Sequence, residues 1–274
     1  MGDYTNPVSG IADPNIIWVN ADAGDDDWKG TFDQPVATIT AAMALVSSTR
    51  KIVMVLPCAA GEYDEAAAIS WPTTSGVKLI FLPGAEWTTV LKSSASVTNV
   101  INMAPGVQTS TWEAYIVGCY IEVEDGYDGI GIVHTDVDKK MNVYFENFGS
   151  DCASDDEVIK VTHGGDGNAV RLYFSGGSNG DIEGIVYHQF TDAGDRIHAD
   201  NCRFMGGFNI GTAAKAAELI LRHCLLKHEG VTGGHATQVL IAVGSYSVTS
   251  NTYAIIDDGD ITETVSWDTV LPAS

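Results

Sequence analysis

The stretch LILRHCLL, residues 219–226, decides how this chain is read. Leu219 and Leu221 alternate with Ile220 and Arg222, the period of a strand with one inward face. His223 and Cys224 then break the alternation, and Leu226 resumes the apolar row. The same phrase, apolar-x-apolar-x-turn-apolar-x-apolar, occurs at Ala114, Ile116, Gly118, Cys119 and Ile121. It returns at Val143, Phe145, Asn147 and Phe148, and at Ile197, Ala199, Asn201, Cys202 and Phe204. A weaker copy runs through Thr249, Asn251, Thr252, Ala254 and Ile256.

The turn position of the phrase is held by Gly118, Asn147, Asn201, His223 and Asn251. These are residue types that tolerate a left-handed backbone, so one geometry is requested five times. Successive turn positions lie 29, 54, 22 and 28 residues apart. The long gap is two steps of 27, with VRLYFSGG (residues 170–177) as the intermediate copy. A repeat of 22–29 residues describes a solenoid in which each coil pairs with the coils before and after it, about 4.8 Å apart. The residues following the turns, Cys119, Phe148, Cys202, Cys224 and Thr252, are then expected to stack inward.

Outward from that repeat, residues 1–15 read as a flexible polar arm and residues 16–274 as one domain. The expected fold is all-β, a solenoid of eight or nine coils with an N-terminal capping α-helix. The cap is VATITAAMALVSS, where Ile39, Ala42, Met43 and Val46 recur at three- and four-residue steps. Pro35 precedes it and Arg50-Lys51 follow it, which places the helix at about 37–48. Such a helix would cover the open apolar end of the first coil, as terminal caps do in repeat proteins.

The chain has 14 Lys+Arg against 36 Asp+Glu, a net charge of −22, and 45% hydrophobic residues. That is a globular composition with ample material for a core. The acid excess opposes nucleic-acid binding, which needs a basic footprint, and docking on an anionic membrane. No apolar run is long enough to span a bilayer, and the first residues lack the pattern of a secretory signal. Asn6 stands where a myristoylation motif requires Ser or Thr. Cys58, Cys119, Cys152, Cys202 and Cys224 are odd in number and contain no C-x-x-C pair, so they read as buried thiols of a reducing compartment.

Residues 18–65, WVNADAGDDDWKGTFDQPVATITAAMALVSSTRKIVMVLPCAAGEYDE, give a family resemblance. A W-V strand, a Gly-Asp-rich turn, Gly-Thr, Pro, Ala-Thr-Ile and a helix are followed by a strand ending in Pro57, then Gly61, Tyr63 and Glu65. This segment resembles the opening of right-handed parallel β-helix proteins of the pectate-lyase-like superfamily. Cys58-Ala59-Ala60 is an insertion relative to that pattern. The resemblance implies that the solenoid is a single-stranded right-handed parallel β-helix and leaves activity open, because lyases, hydrolases, phage tailspikes and inert virion proteins share it.

Each chemistry has candidate residues. Asp25-Asp26-Asp27 cluster carboxylates as a calcium loop does, but without spaced ligands. Polysaccharide lyases of this fold use a basic residue; Arg171, Arg196, Arg203 and Arg222 are available, outside any family signature. Glycoside hydrolysis needs two carboxyls roughly 5–9.5 Å apart. Asp155, Asp156, Asp181, Glu183, Asp192, Asp195 and Asp200 could supply a pair, though with 36 acids one such pair is expected by chance. His134, His163, His188, His198, His223, His228 and His235 are dispersed, with His198 expected to face outward between Ile197 and Ala199. Tyr115, Tyr144, Tyr173 and Tyr187 are expected on outer faces, lining a sugar groove or a subunit interface.

No catalytic, cofactor or metal residue is therefore assigned. The expected role is a non-enzymatic structural virion protein of a bacteriophage, a capsid decoration, cement or spike-type protein acting as a homotrimer and assembled in the host cytoplasm. Its expected partners are the major capsid protein or another virion component, with a host-surface glycan as a further one. The alternative is a polysaccharide hydrolase or lyase, or a glycan-binding module, on the same fold.

Overall fold

Ten parallel strands, paired in sequence order, form the longest sheet: Ile16–Val19, Ile52–Val55, Val77–Phe81, Trp112–Val117, Met141–Glu146, Val170–Ser175, Arg196–Asp200, Glu218–Arg222, Val239–Val243 and Thr262–Ser266. The computed structural model describes residues 13–83, 90–93, 99–135, 139–153, 156–164, 169–176, 181–211, 215–227, 231–232, 238–243, 245–248 and 262–266. A second sheet holds seven strands, from Ile69–Ser70 to Val231–Thr232. A third face holds a four-stranded and a three-stranded sheet, and Ile182 bridges them through Ser150 on one side and Phe204 on the other. Every named strand pairing is parallel, and the chain visits the long sheet, the third face and the second sheet in turn. An all-β chain with long parallel sheets of this kind fits a β-helix solenoid.

The repeated phrase is where the long sheet turns into the third face. Gly118, Asn147, Asn201 and His223 all have positive φ, between 50° and 67°. The remaining copy, at Asn251, lies outside the described residues. The intermediate copy is in register: Phe174 pairs with Phe145 on one side and Ala199 on the other. Its turn differs, because Gly176 stands at that position without a positive φ. A Cβ on Gly176 would lie 1.5 Å from the Asn201 carbonyl oxygen, so the glycine here allows close approach of two backbones.

Side chains between the sheets stack like on like. Phe145 and Phe174 lie parallel with centroids 4.8 Å apart, and Phe148, Phe204 and Phe208 join them. Cys119, Phe148, Cys202 and Cys224 are buried after their turns, as their positions require. Burial raises the Cys119 thiol well above its ordinary range, so it has no nucleophilic character. All five cysteines are free thiols.

The helix is shorter than the sequence reading, Ile39–Ala44 rather than 37–48. Thr38 caps it by accepting from the Ala41 N–H, and Glu65 accepts from the N–H groups of Ile39 and Thr40. Its early stop has a local cause: Ser47 N–H donates to the Arg50 carbonyl and Arg50 N–H to Ser47 Oγ, closing a loop. Arg50 does not serve the helix C-terminus; its guanidinium donates to the carbonyls of Ile16, Lys29 and Gly30. Ile39, Ala42 and Met43 are buried, and the helix contacts the strands at 16–19, 52–55, 62–65 and 69–70.

Candidate functional site

The opening segment has structural uses for its motif residues. Tyr63 is buried, its hydroxyl donates to the Leu56 carbonyl and accepts from the Ala21 N–H. Gly61 turns with φ 76°, and Glu65 holds the helix start. Asp26 accepts from the N–H groups of Ala37 and Thr38 through one oxygen and from the Thr38 hydroxyl through the other. Asp25 accepts from the Asp27 N–H. The acidic turn at 25–27 is thus committed to organising the loop ahead of the helix.

The other candidates are dispersed over the solenoid. Arg171 and Arg196 are register partners on the long sheet, where Arg171 Nε donates to the Gly194 carbonyl and Arg196 pairs with Glu218 on the next coil. Arg203 lies on the third face, 3.0 Å from Asp181, and Arg222 stands beside Asp200 on the long sheet. Asp156 accepts from the Gly126 N–H, and Asp200 lies 3.5 Å from His223. Asp155, His228 and His235 lie outside the described residues. His198 is half-buried on the outer face, as expected, 6.3 Å from the Tyr173 ring.

Tyr115, Tyr144 and Tyr173 form a ladder on the outside of the long sheet, with centroid separations of 4.6 and 4.8 Å and nearly parallel rings. Each inner ring face is covered by the next tyrosine, and the Tyr115 hydroxyl donates to the Glu113 carboxylate. A sugar platform needs open ring faces, so the ladder works as coil-to-coil stacking. Tyr187 stands apart, on the second sheet.

Among the described residues, one set of chemistry-bearing side chains converges, at the corner where the second sheet passes into the long sheet. His163 ends the strand Glu157–His163, His188 ends Ile185–His188, and Asp195 immediately precedes Arg196–Asp200. One ring nitrogen of each histidine and one carboxylate oxygen lie within 4.8 Å of one another. His163 Nε2 is 3.6 Å from Asp195 Oδ2, and the two imidazoles stack at 5.3 Å. His134, on the preceding coil, is paired in register with His163, but its Nε2 meets the Lys139 carbonyl at 2.7 Å.

The corner is held by backbone contacts. Asp195 Oδ1 accepts from the Val170 N–H at 2.9 Å, and Oδ2 accepts from the N–H groups of Thr191 and Asp192 at 3.0 and 2.9 Å. His188 Nε2 meets the Val170 carbonyl at 3.1 Å and must donate there, which fixes its tautomer and leaves the lone pair on Nδ1. That Nδ1 is buried with no hydrogen-bond partner. Burial, with His163 close by, pushes the His188 imidazole down to about 3. Burial likewise pushes the Asp195 carboxyl up to about 7, against the pull of its backbone N–H donors.

A depression of about 460 Å³ opens beside the corner, lined by Lys160, Val161, Thr162, His163, Tyr187, Gln189 and Thr191. Lys160 reaches Asp128 at 3.2 Å and Glu157 at 3.7 Å. Burial and the neighbouring Asp128 raise the Glu157 carboxyl. Dispersed histidines gave no reason to group His163 with His188 and Asp195. A signal was nevertheless there: 134, 163 and 188 are separated by 29 and 25 residues, the solenoid's own period.

Among protein families, one described as a protein of unknown function (DUF1565) matches residues 22–81, under a quarter of the chain. That family is associated with right-handed β-helix proteins, in keeping with the parallel sheets. No curated protein and no solved structure matches the chain.

Proposed function

We propose that the chain is a non-enzymatic structural protein, a stiff acidic rod of the capsid decoration or spike kind, working as a trimer on a bacteriophage particle. In this reading the solenoid is right-handed, as parallel crossovers nearly always are, and the helix at Ile39–Ala44 closes its first coil. The supporting observation is that side chains on the outside are matched from one coil to the next. Tyr115, Tyr144 and Tyr173 stack along the axis, and Lys92–Glu62, Lys160–Asp128, Arg196–Glu218 and Arg203–Asp181 join neighbouring windings. Exposed ion pairs of this sort add little each, about 0–1 kcal/mol, but they hold the coils in one register. Ten strands at about 4.8 Å give a sheet roughly 43 Å long, a flat face suited to side-by-side packing of copies.

Light scattering and negative-stain imaging of the purified chain test this. A stable three-fold particle that sediments with capsids is the expected result; a monomer that leaves capsids bare overturns it. The depression beside Tyr187, Lys160 and Gln189 favours a second reading, a glycan-binding or glycan-cleaving face. A monomer that binds or depolymerises an oligosaccharide, and loses this with Tyr187→Ala, would establish that reading instead.

A further inference from the structure

We propose that His163, His188 and Asp195 form a binding site for a divalent transition cation of the zinc type. The ligand chemistry is two imidazoles and one carboxylate, a set that suits zinc and its neighbours and not calcium, which takes oxygen ligands. The 3.6 Å between His163 Nε2 and Asp195 Oδ2 is close to the edge of a tetrahedron with bonds of about 2.1 Å, roughly 3.4 Å. The two separations to the His188 nitrogen lie within 4.8 Å and have to close by up to about 1.4 Å, which side-chain rotation can supply.

His188 is prepared as a ligand. Its Nε2–H is tied to the Val170 carbonyl, the arrangement by which metal-binding histidines are oriented, and its Nδ1 lone pair is buried with no hydrogen-bond partner. A buried acceptor without a partner is costly, and a cation removes that cost. Asp195 is anchored by three backbone N–H groups, one on Oδ1 and two on Oδ2, which fixes the orientation of its carboxylate beside His163. His163 and Thr191 line the depression, which gives an entry path and room for a water as fourth ligand. The cation would tie the strands at 157–163 and 185–188 to the start of Arg196–Asp200, three segments of neighbouring coils.

The test uses the full chain, stripped with a chelator and titrated with zinc chloride alone. Zinc retained through gel filtration is counted by mass spectrometry, and affinity is read by competition with a chromophoric chelator. One zinc per chain is expected, with at least about 100-fold weaker binding in His163→Gln and no change in His198→Gln, circular dichroism being unaltered in both. Cobalt(II) on the unmodified chain should give the intense visible bands of a four-coordinate nitrogen and oxygen site, a readout that does not depend on any variant folding. Substoichiometric zinc, zinc binding unaffected by His163→Gln, or the pale spectrum of octahedral cobalt overturns the proposal. None of these outcomes depends on the trimer or the capsid.

Discussion

The two corners of each coil behave differently. Where the long sheet turns into the third face, four coils repeat one solution, at Gly118, Asn147, Asn201 and His223: a left-handed turn residue followed by a buried side chain. Where the second sheet returns to the long sheet, neighbouring coils carry His134, His163 and His188, and each treats its histidine differently. His134 meets a backbone carbonyl, His163 faces Asp195, and His188 keeps one nitrogen without a hydrogen-bond partner. A self-satisfied ladder needs nothing from outside the chain and so speaks of folding. A corner with a buried lone pair is the one that has use for a ligand.

Breaking the ladder should have the largest effect. Phe145 is essentially fully buried and stacks on Phe174, so Phe145→Ala should cost about 3–5 kcal/mol, read as a lower denaturation midpoint in urea. A loss under about 1 kcal/mol would mean that the aromatic stack is not a structural spine. A smaller effect is expected at the turn. Asn201 has φ 55°, so Asn201→Ala should cost about 1 kcal/mol, whereas Asn201→Gly should stay within about 0.5 kcal/mol of the parent. Equal losses in both would point to the Asn side chain instead of the backbone conformation.

The mildest prediction concerns pH. Burial, then Glu113, pushes Tyr115 up to about 12, and burial also raises Tyr144 above its ordinary 10. The folded chain therefore holds these protons after an unfolded one has released them. The stabilisation they bring is complete below pH 10 and is lost as pH rises from 10 to about 12. Tyrosinate absorbance in the folded chain should thus contain a late component, and Tyr144→Ala should move it earlier by uncovering the Tyr115 ring. A single transition near pH 10 in both chains would disprove the ladder as a shared apolar environment.

Much of this fold was legible because its instructions are local. Gly118, Asn147, Asn201 and His223 announce a left-handed turn by residue type, and the alternation around them announces which side faces in. The intermediate coil at 170–176 was placed by spacing alone, yet its turn departs from the others because the Asn201 backbone presses on Gly176, a contact from the next coil. The helix was recognised by its apolar steps, but its last turn was overestimated: periodicity does not see that Ser47 and Arg50 close a loop. Outward tyrosines were expected, and only the ring geometry showed that three of them cover one another.

What the sequence by itself determined is the repeat: strands, left-handed turns and inward stacks recur at a period that makes parallel coils the way to bury every apolar row. What only the tertiary structure decided is the corner. The second-sheet pairing slips between Glu157 and Ile159, which sets His188 beside Val161 while His163 reaches over toward Asp195. The path from His188 to Asp195 then folds back on the carboxylate through the N–H groups of Thr191 and Asp192. Periodicity fixes which residues face inward on a strand; a register shift and the closure of one loop fix which of them meet.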